Sequence, residues 1–249
     1  MRKIAIALSK GGVGKTTTAI NLAAGLARAK QRVLLVDMDT QGQVAKALGL
    51  QPPTGLAEMV MEGLSPEQVL VEAREDIWLL AGGRALSGLK RVISRQDYGG
   101  EQTLTETLAP LDGSYDVVLL DTAPAWDTLA VNALFYAREI LIPVSLEVMA
   151  LQGLMEFTRS LAPIQRYHSD LVLRYVLPTF LDRRVKKSEE ILGQLHTHYT
   201  GLVCEPIRYN VRLSEAPGYG QTIFEYAPHS PGAEDYQKLA ERILSDGGS

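Results

Sequence analysis

Cysteine is almost absent from the sequence, which contains only Cys204 among its 249 residues. A single thiol forms neither an internal disulfide nor a metal site that requires several cysteines. The sequence therefore excludes a disulfide-stabilised fold. Cys204 is expected to be a buried thiol in a protein of the reducing cytoplasm.

Positive charge and long apolar runs are also scarce. The 25 Lys and Arg residues are outnumbered by 29 Asp and Glu residues, for a formal net charge of −4. Any DNA binding therefore has to come from a local basic patch rather than from an overall positive field. No apolar run approaches the roughly 20 residues that span a bilayer, and the stretch at residues 1–8 is too short for a secretory signal. We expect a cytoplasmic protein with no stable membrane association.

Hydrophobic residues make up 46% of the sequence, enough for a substantial core. Short apolar runs alternate with longer segments of helical period, which predicts an α/β fold with a mostly parallel, twisted sheet and helices on both faces. We predict one domain over residues 1–249, with its last few residues frayed and with shorter helices around residues 77–80. The predicted strands are residues 4–8, 33–36, 117–120, 140–144 and 171–177.

A glycine-rich loop follows the first predicted strand and opens a helix predicted over about residues 15–29. Glycine permits positive φ and close backbone approach, so the loop N–H groups and the helix N-terminus can surround a phosphate. Lys15 supplies a point charge for the β- and γ-phosphate oxygens, and the Thr16 hydroxyl can bind Mg²⁺. The predicted nucleotide-binding residues of this loop are Lys10, Gly11, Gly12, Val13, Gly14, Lys15, Thr16 and Thr17.

The loop departs from the common phosphate-loop pattern, because Ser9 stands where a glycine is usual and Lys10 adds a second lysine. In this form residues 10–17 resemble the deviant Walker A motif of the ParA/MinD superfamily. Residues 34–42 and 115–124 are similar to two further motifs of that family, each with an aspartate at the end of an apolar strand. The resemblance covers nearly the whole chain and is weakest from about residue 43 to residue 111.

The resemblance implies a single-domain P-loop NTPase fold and an ATPase that uses ATP and Mg²⁺. It implies that Thr16 and Asp121 bind Mg²⁺, the latter directly or through water, and that Asp39 positions or activates the attacking water. Lys10 is implied to reach across a homodimer that forms on ATP binding, where it stabilises transition-state charge as an arginine finger does. Lys15 completes the implied catalytic set with Lys10 and Asp39, and Pro206 and Arg208 complete the implied nucleotide-binding set.

The C-terminal third of the chain indicates the branch of the family, because residues 210–217 closely resemble the ParA/Soj branch. That branch is implied to bind DNA without sequence preference as an ATP-bound, nucleoid-associated dimer. A ParB-like or other adaptor protein is implied to stimulate hydrolysis and release it. The expected phosphate-contacting residues are Arg183, Arg184, Lys186, Lys187 and Arg212. The alternative for the first four is a solvated helix start.

Two other functions stay open from the sequence. A MinD-like membrane-associated ATPase would use a basic amphipathic C-terminal helix. Here Tyr236, Leu239 and Ile243 share one face, but acidic residues offset the basic ones, so packing into the core is predicted. A metabolic P-loop ligase or synthetase would turn over without DNA or an adaptor. The iron-protein reductases of the superfamily are excluded, because they need paired cysteines.

Overall fold

The computed structural model of the chain describes residues 1–147, 149–182 and 184–247, and its strands form one seven-stranded sheet. The strands are β1 (Arg2–Ile6), β2 (Val33–Asp37), β3 (Leu70–Arg74), β4 (Ile77–Leu80), β5 (Val117–Asp121), β6 (Glu139–Ser145) and β7 (Val172–Thr179). Their order across the sheet is β3-β4-β2-β5-β1-β6-β7. Every neighbouring pair is parallel except β3 with β4.

The predicted mostly parallel sheet is confirmed, and its central strands are apolar because both faces are covered. All five residues of β2 and of β5 are buried. The prediction of short helices around residues 77–80 is wrong. That segment is β4, which pairs with β2 on one side and with the antiparallel strand β3 on the other. A four-residue apolar run is too short to show a helical or strand period, so pairing with β2 determines its structure.

Helices cover both faces of the sheet. On one face α1 packs against α12, and the core between them and the sheet includes Ile4 and Leu35. On the other face the core includes Leu34, Val36 and Leu120. The helices are α1 (Lys15–Arg28), α2 (Gln43–Ala47), α3 (Leu56–Met61), α4 (Pro66–Val69), α5 (Leu86–Ile93), α6 (Thr103–Leu108), α7 (Thr128–Tyr136), α8 (Ala150–Tyr167), α9 (Lys186–His198), α10 (Val211–Glu215), α11 (Ile223–Tyr226) and α12 (Pro231–Asp246).

The last helix, α12, uses its apolar face inside the protein. Ser230 caps the helix by accepting a hydrogen bond from the Ala233 N–H. Tyr236, Leu239 and Ile243 are each at most 2% exposed, which confirms the predicted packing into the core. No helix in the described part of the chain has both the length and the apolar character to cross a membrane.

The carboxyl ends of the central strands meet at one edge of the sheet. The glycine-rich loop follows β1, and Asp37 and Asp121 end the neighbouring strands β2 and β5 in direct register. Because ligands of open α/β sheets bind beyond the carboxyl ends of their strands, this edge is the place to look for a functional site.

Candidate nucleotide site

The loop between β1 and α1 has the backbone shape that its glycines predict. Gly12 and Gly14 have φ values of 72° and 90°, in the left-handed region that favours glycine. Gly14 is also the N-cap of α1. The loop therefore leads directly into the positive end of a fourteen-residue helix.

Lys15 lies inside this loop. Its ammonium donates hydrogen bonds to the carbonyl oxygens of Leu8, at 3.1 Å, and Lys10, at 2.7 Å. The residue is only 7% exposed, and burial lowers the pKa of its amine. A buried cation held only by neutral carbonyls favours an anionic ligand, because a phosphate would supply the opposite charge that it lacks.

Lys10 is placed differently from Lys15. Its Nζ lies 3.1 Å from a carboxylate oxygen of Glu147, in the segment after β6, and the two side chains are 31% and 69% exposed. The two lysines of the loop therefore occupy different environments. Lys15 serves the interior of the loop, whereas Lys10 lies at its rim.

Asp121 has the geometry of a magnesium ligand. Its Oδ2 accepts a hydrogen bond of 2.7 Å from the Thr16 hydroxyl. Its Oδ1 is buried and has no hydrogen-bond partner among the described residues. Burial, and secondarily the neighbouring Asp37, raise the pKa of Asp121. A buried carboxylate oxygen without a partner is costly, and a divalent cation would satisfy it.

The residues therefore fit Mg²⁺ held jointly by the protein and a nucleotide. The described residues contain no cluster of three or more His, Cys, Asp or Glu side chains arranged to hold a metal. Mg²⁺ usually binds through one or two carboxylates plus substrate phosphates rather than through an all-protein cage. Thr16 and Asp121, next to the phosphate loop, are such a set.

Asp37 was quoted in a sequence motif but given no role, and the structure shows what it does. It is fully buried, and its carboxylate accepts hydrogen bonds from the Asp39 N–H at 2.9 Å and the Val44 N–H at 3.2 Å. Burial raises the pKa of Asp37. Asp37 therefore fixes the segment that carries Asp39.

Asp39 itself is half-buried at the rim of the site. Its Oδ1 accepts a hydrogen bond from the Gln41 N–H at 3.0 Å, and its carbonyl oxygen accepts one from the Gly83 N–H at 2.9 Å. Gly82 packs so closely that a Cβ there would lie 2.5 Å from the Asp37 carbonyl oxygen. The glycine pair after β4 is thus a support for the Asp39 segment, which the sequence interpretation missed. The signal was two adjacent glycines directly after an apolar run.

A cavity of about 230 Å³ continues from the phosphate loop along α1. Thr16, Thr17 and Asn21 line it on the α1 side. The structure does not bring the predicted residues Pro206 and Arg208 to this cavity. The other lining residues are Ile20, Gln43, Ala47, Leu213, Ala216, Pro217 and Gln221.

Arg208 and Pro206 lie elsewhere for identifiable reasons. The Arg208 guanidinium pairs with Asp235 at 2.6 Å and with Glu234 at 2.7 Å, both on α12. Pro206 lines a separate cavity beside the buried Cys204. The side chain of Arg208 is therefore committed to α12.

The two predicted basic loci lie on neighbouring segments. The Leu181 N–H donates to the Ile207 carbonyl at 3.1 Å, and the Tyr209 N–H donates to the Leu181 carbonyl at 3.0 Å. This pairing brings the segment that carries Arg184 beside the segment that leads to Arg212. Arg183 lies outside the described residues.

The basic residues of these loci have acidic partners within the chain. Arg184 pairs with Asp182 at 2.7 Å, Arg212 with Glu215 at 2.9 Å and Lys187 with Glu190 at 3.0 Å. The Arg184 and Arg212 side chains are 85% and 58% exposed. Exposed ion pairs of this kind are weak, so the basic groups can exchange a carboxylate for a phosphate. The sequence interpretation counted the basic residues but not these partners.

Comparisons with known proteins agree with the geometry of the site. A family model described as an AAA domain matches residues 1–173. The chain is 39% identical to the chromosome-partitioning ATPase Soj of Thermus thermophilus, over 98% of this chain and 96% of that protein. It is 36% identical to the chromosome partitioning protein ParA of Myxococcus xanthus, over 98% of this chain and 88% of that protein.

A solved structure from Mycobacterium smegmatis is similar over the whole fold. It is described as cobyrinic acid a,c-diamide synthase with bound ADP and magnesium. The TM-score is 0.86 and the sequence identity 31%, and the match covers 100% of this chain and 96% of that chain.

Proposed function

Because the chain belongs to the ParA/Soj branch of the ParA/MinD family of P-loop ATPases, we propose that it positions DNA or another cargo through an ATP-dependent homodimer. The chain is an ATPase that uses ATP and Mg²⁺. In the proposal, the ATP-bound dimer binds DNA without sequence preference, and an adaptor protein releases it by stimulating hydrolysis. The chromosome-partitioning names of the relatives from T. thermophilus and M. xanthus support this assignment.

The observation that carries the proposal is the position of Lys10. Lys15 already occupies the interior of the loop, so a second lysine is not needed there. Lys10 is held at the rim by an exposed carboxylate, and a pair of this kind contributes only about 0.5 kcal/mol. A phosphate of a second chain can displace Glu147 at little cost. Hydrolysis would then wait for dimerisation, as it does in NTPases that receive an arginine finger in trans.

The remaining groups act by positioning and charge. Bound Mg²⁺ neutralises charge on the β- and γ-phosphate oxygens, and Thr16 and Asp121 would hold it. Lys15 and the loop N–H groups orient the phosphates, and Asp39 orients the attacking water. Lys10 of the second chain adds positive charge where negative charge develops in the transition state.

The surface around Arg184 and Arg212 supports the DNA-binding part of the proposal. In a dimer each of these exposed basic groups occurs twice, so the number of phosphate contacts doubles without a change in the acidic overall charge. The ATP-bound dimer would therefore bind DNA more tightly than the monomer does. Nucleotide state then controls DNA binding through dimerisation.

Mixing two inactive variants tests whether Lys10 acts in trans. Lys10→Ala and Asp39→Ala chains are combined in equal amounts with ATP and Mg²⁺, and phosphate release is measured. If Lys10 acts in trans, each heterodimer has one complete site, and the mixture should recover about a quarter of wild-type turnover by random pairing. If Lys10 acts in cis, no pairing contains a complete site.

Dimerisation of each variant is checked by sedimentation under the same conditions. Turnover of the mixture that stays at the level of the single variants, while heterodimers form, would refute the assignment of Lys10. DNA retention with ATP and with ADP tests the second part of the proposal. Equal retention in the two nucleotide states, or retention unaffected by salt, would refute the DNA switch.

An amide synthase is the second candidate, favoured by the name of the M. smegmatis structure. Amide formation requires a nitrogen donor. The single cysteine cannot serve as a thiolate nucleophile that releases ammonia from an amide, because it is 2% exposed and burial raises the pKa of Cys204 to about 12. The candidate therefore requires free ammonia. It predicts ammonia- and carboxylate-dependent ATP turnover that a Lys10→Ala chain retains without DNA.

A further inference from the structure

An open groove of about 510 Å³ lies between the segment after α5 and the start of α7, away from the phosphate loop. Its walls combine apolar, aromatic and acidic side chains. The lining residues that matter here are Ile93, Asp97, Tyr98, Glu101, Trp126 and Val131.

The floor of the groove is held in a fixed shape. The buried Asn132 donates to the Gly100 carbonyl oxygen and accepts from the Leu104 N–H, both at 3.0 Å. Asp127 caps α7 and forms an ion pair with Lys90. Two walls that are already ordered reduce the conformational cost of binding.

The aromatic side chains of the groove are exposed in an unusual degree. Tyr98 is 95% exposed and Trp126 is 38% exposed. The Trp126 ring rests edge-on against Phe157 of α8, with 5.4 Å between the ring centroids. Tyrosine and tryptophan are the residues that most often anchor protein interfaces.

The charge of the groove selects the partner. Asp97 and Glu101 have no ion-pair partner among the described residues, and no basic residue lines the groove. We propose that the groove binds a basic peptide segment of another protein, with an apolar side chain seated between Tyr98 and Trp126. The basic side chains of that segment face Asp97 and Glu101.

The groove is connected to the nucleotide site by a short covalent and packing route. Trp126 follows Pro124 by two residues, and a Cβ placed on Gly11 would lie 3.9 Å from the Pro124 Cβ. Gly11 is the neighbour of Lys10 in the phosphate loop. A peptide that moves Trp126 therefore acts on the loop that carries Lys10. This regulatory consequence rests on the proposed function, whereas the binding surface does not.

Tryptophan fluorescence tests the binding surface directly. The chain has two tryptophans, so Trp78→Phe leaves Trp126 as the only reporter. The probes are short synthetic peptides in which Lys alternates with Leu. In one matched peptide Glu replaces Lys, and in another Ser replaces Leu. We expect only the Lys/Leu peptide to shift the emission of Trp126, with an affinity that falls as salt rises.

Substitutions on the chain then locate the site. Tyr98→Ala should weaken binding at least about fivefold, the loss expected for an aromatic interface anchor. Its matched control is Tyr167→Ala, because Tyr167 is 87% exposed at the end of α8. Asp97→Asn with Glu101→Gln should weaken binding and reduce its salt dependence.

Glu205→Gln with Glu241→Gln makes the same change in net charge on exposed positions away from the groove, and should leave binding unchanged. Equal binding of the Glu/Leu peptide, or equal losses in the groove and control variants, would overturn the proposed surface. The titration contains neither DNA nor ATP, so its outcome is independent of the proposed function. Binding of the Lys/Leu peptide without any change in ATP hydrolysis would overturn the link to the phosphate loop alone.

Discussion

Removing two carboxylates should strengthen binding to DNA. Arg184 and Arg212 are exposed but pair with Asp182 and Glu215, so a DNA phosphate has to displace these partners. Asp182→Asn and Glu215→Gln remove the charges and keep the shapes. Each amide also keeps an oxygen that accepts the other hydrogen bond of its position, from the Arg184 N–H and the Tyr226 hydroxyl.

The size of the effect follows from the exposure of the pairs. An exposed ion pair contributes about 0.5 kcal/mol, and a dimer of the double variant would lack four such pairs. The gain is then about 2 kcal/mol, or about 30-fold in affinity. The slope of log affinity against log salt should stay the same, because the number of phosphates contacted does not change.

Fluorescence anisotropy with a DNA fragment of arbitrary sequence measures this gain. The measurement uses the Asp39→Ala background with ATP, which keeps the nucleotide intact. Glu75→Gln with Glu241→Gln is the control for net charge, and Glu75 pairs with Lys30 at a similarly exposed position. Unchanged or weaker binding by Asp182→Asn/Glu215→Gln, or an equal gain in the control, would refute the assignment of Arg184 and Arg212 as DNA contacts.

Three further predictions concern the nucleotide site. Lys15→Ala should weaken ATP binding about 100-fold, the loss expected for a buried charge-assisted contact, and calorimetry would show it; near-normal binding would contradict the role of Lys15. Asp39→Ala should bind ATP normally and remain on DNA as a dimer, and rapid hydrolysis by this variant would contradict its role. Asp121→Asn should raise the Tm of the nucleotide-free protein, because the folded state disfavours the ionised carboxylate. Wild-type stability should fall as pH rises above the ordinary aspartate pKa, and the variant should lose part of this dependence. Thermal unfolding with ATP should show no stabilisation of Asp121→Asn by Mg²⁺, and a wild-type response would contradict the metal assignment.

The phosphate site was predictable because its determinants are local in the sequence. Gly12 and Gly14 take positive φ, and Asp121 ends a strand whose five residues are all buried. Each feature depends on a few adjacent residues and on the rule that the carboxyl ends of parallel strands share one edge.

The features that were missed depend on partners distant in sequence. The strand β4 is defined by pairing with β2, more than forty residues earlier. The supporting role of Gly82 depends on the close approach of Asp37. The commitment of Arg208 to α12 depends on Asp235, which is 27 residues away. No local period or motif contains this information.

The structure explains why the loop tolerates its departure at Ser9. Among described non-glycine residues only Lys30, Asp76 and Phe180 have positive φ, so the backbone at Ser9 is one that any residue adopts. The loop requires glycine where φ is positive, at Gly12 and Gly14. Serine at position 9 therefore leaves the phosphate cradle intact, and the chain direction there leaves the Lys10 side chain at the rim beside Glu147. The same loop can then bind its own nucleotide through Lys15 and offer Lys10 to a second chain, which a loop with one buried lysine could not do.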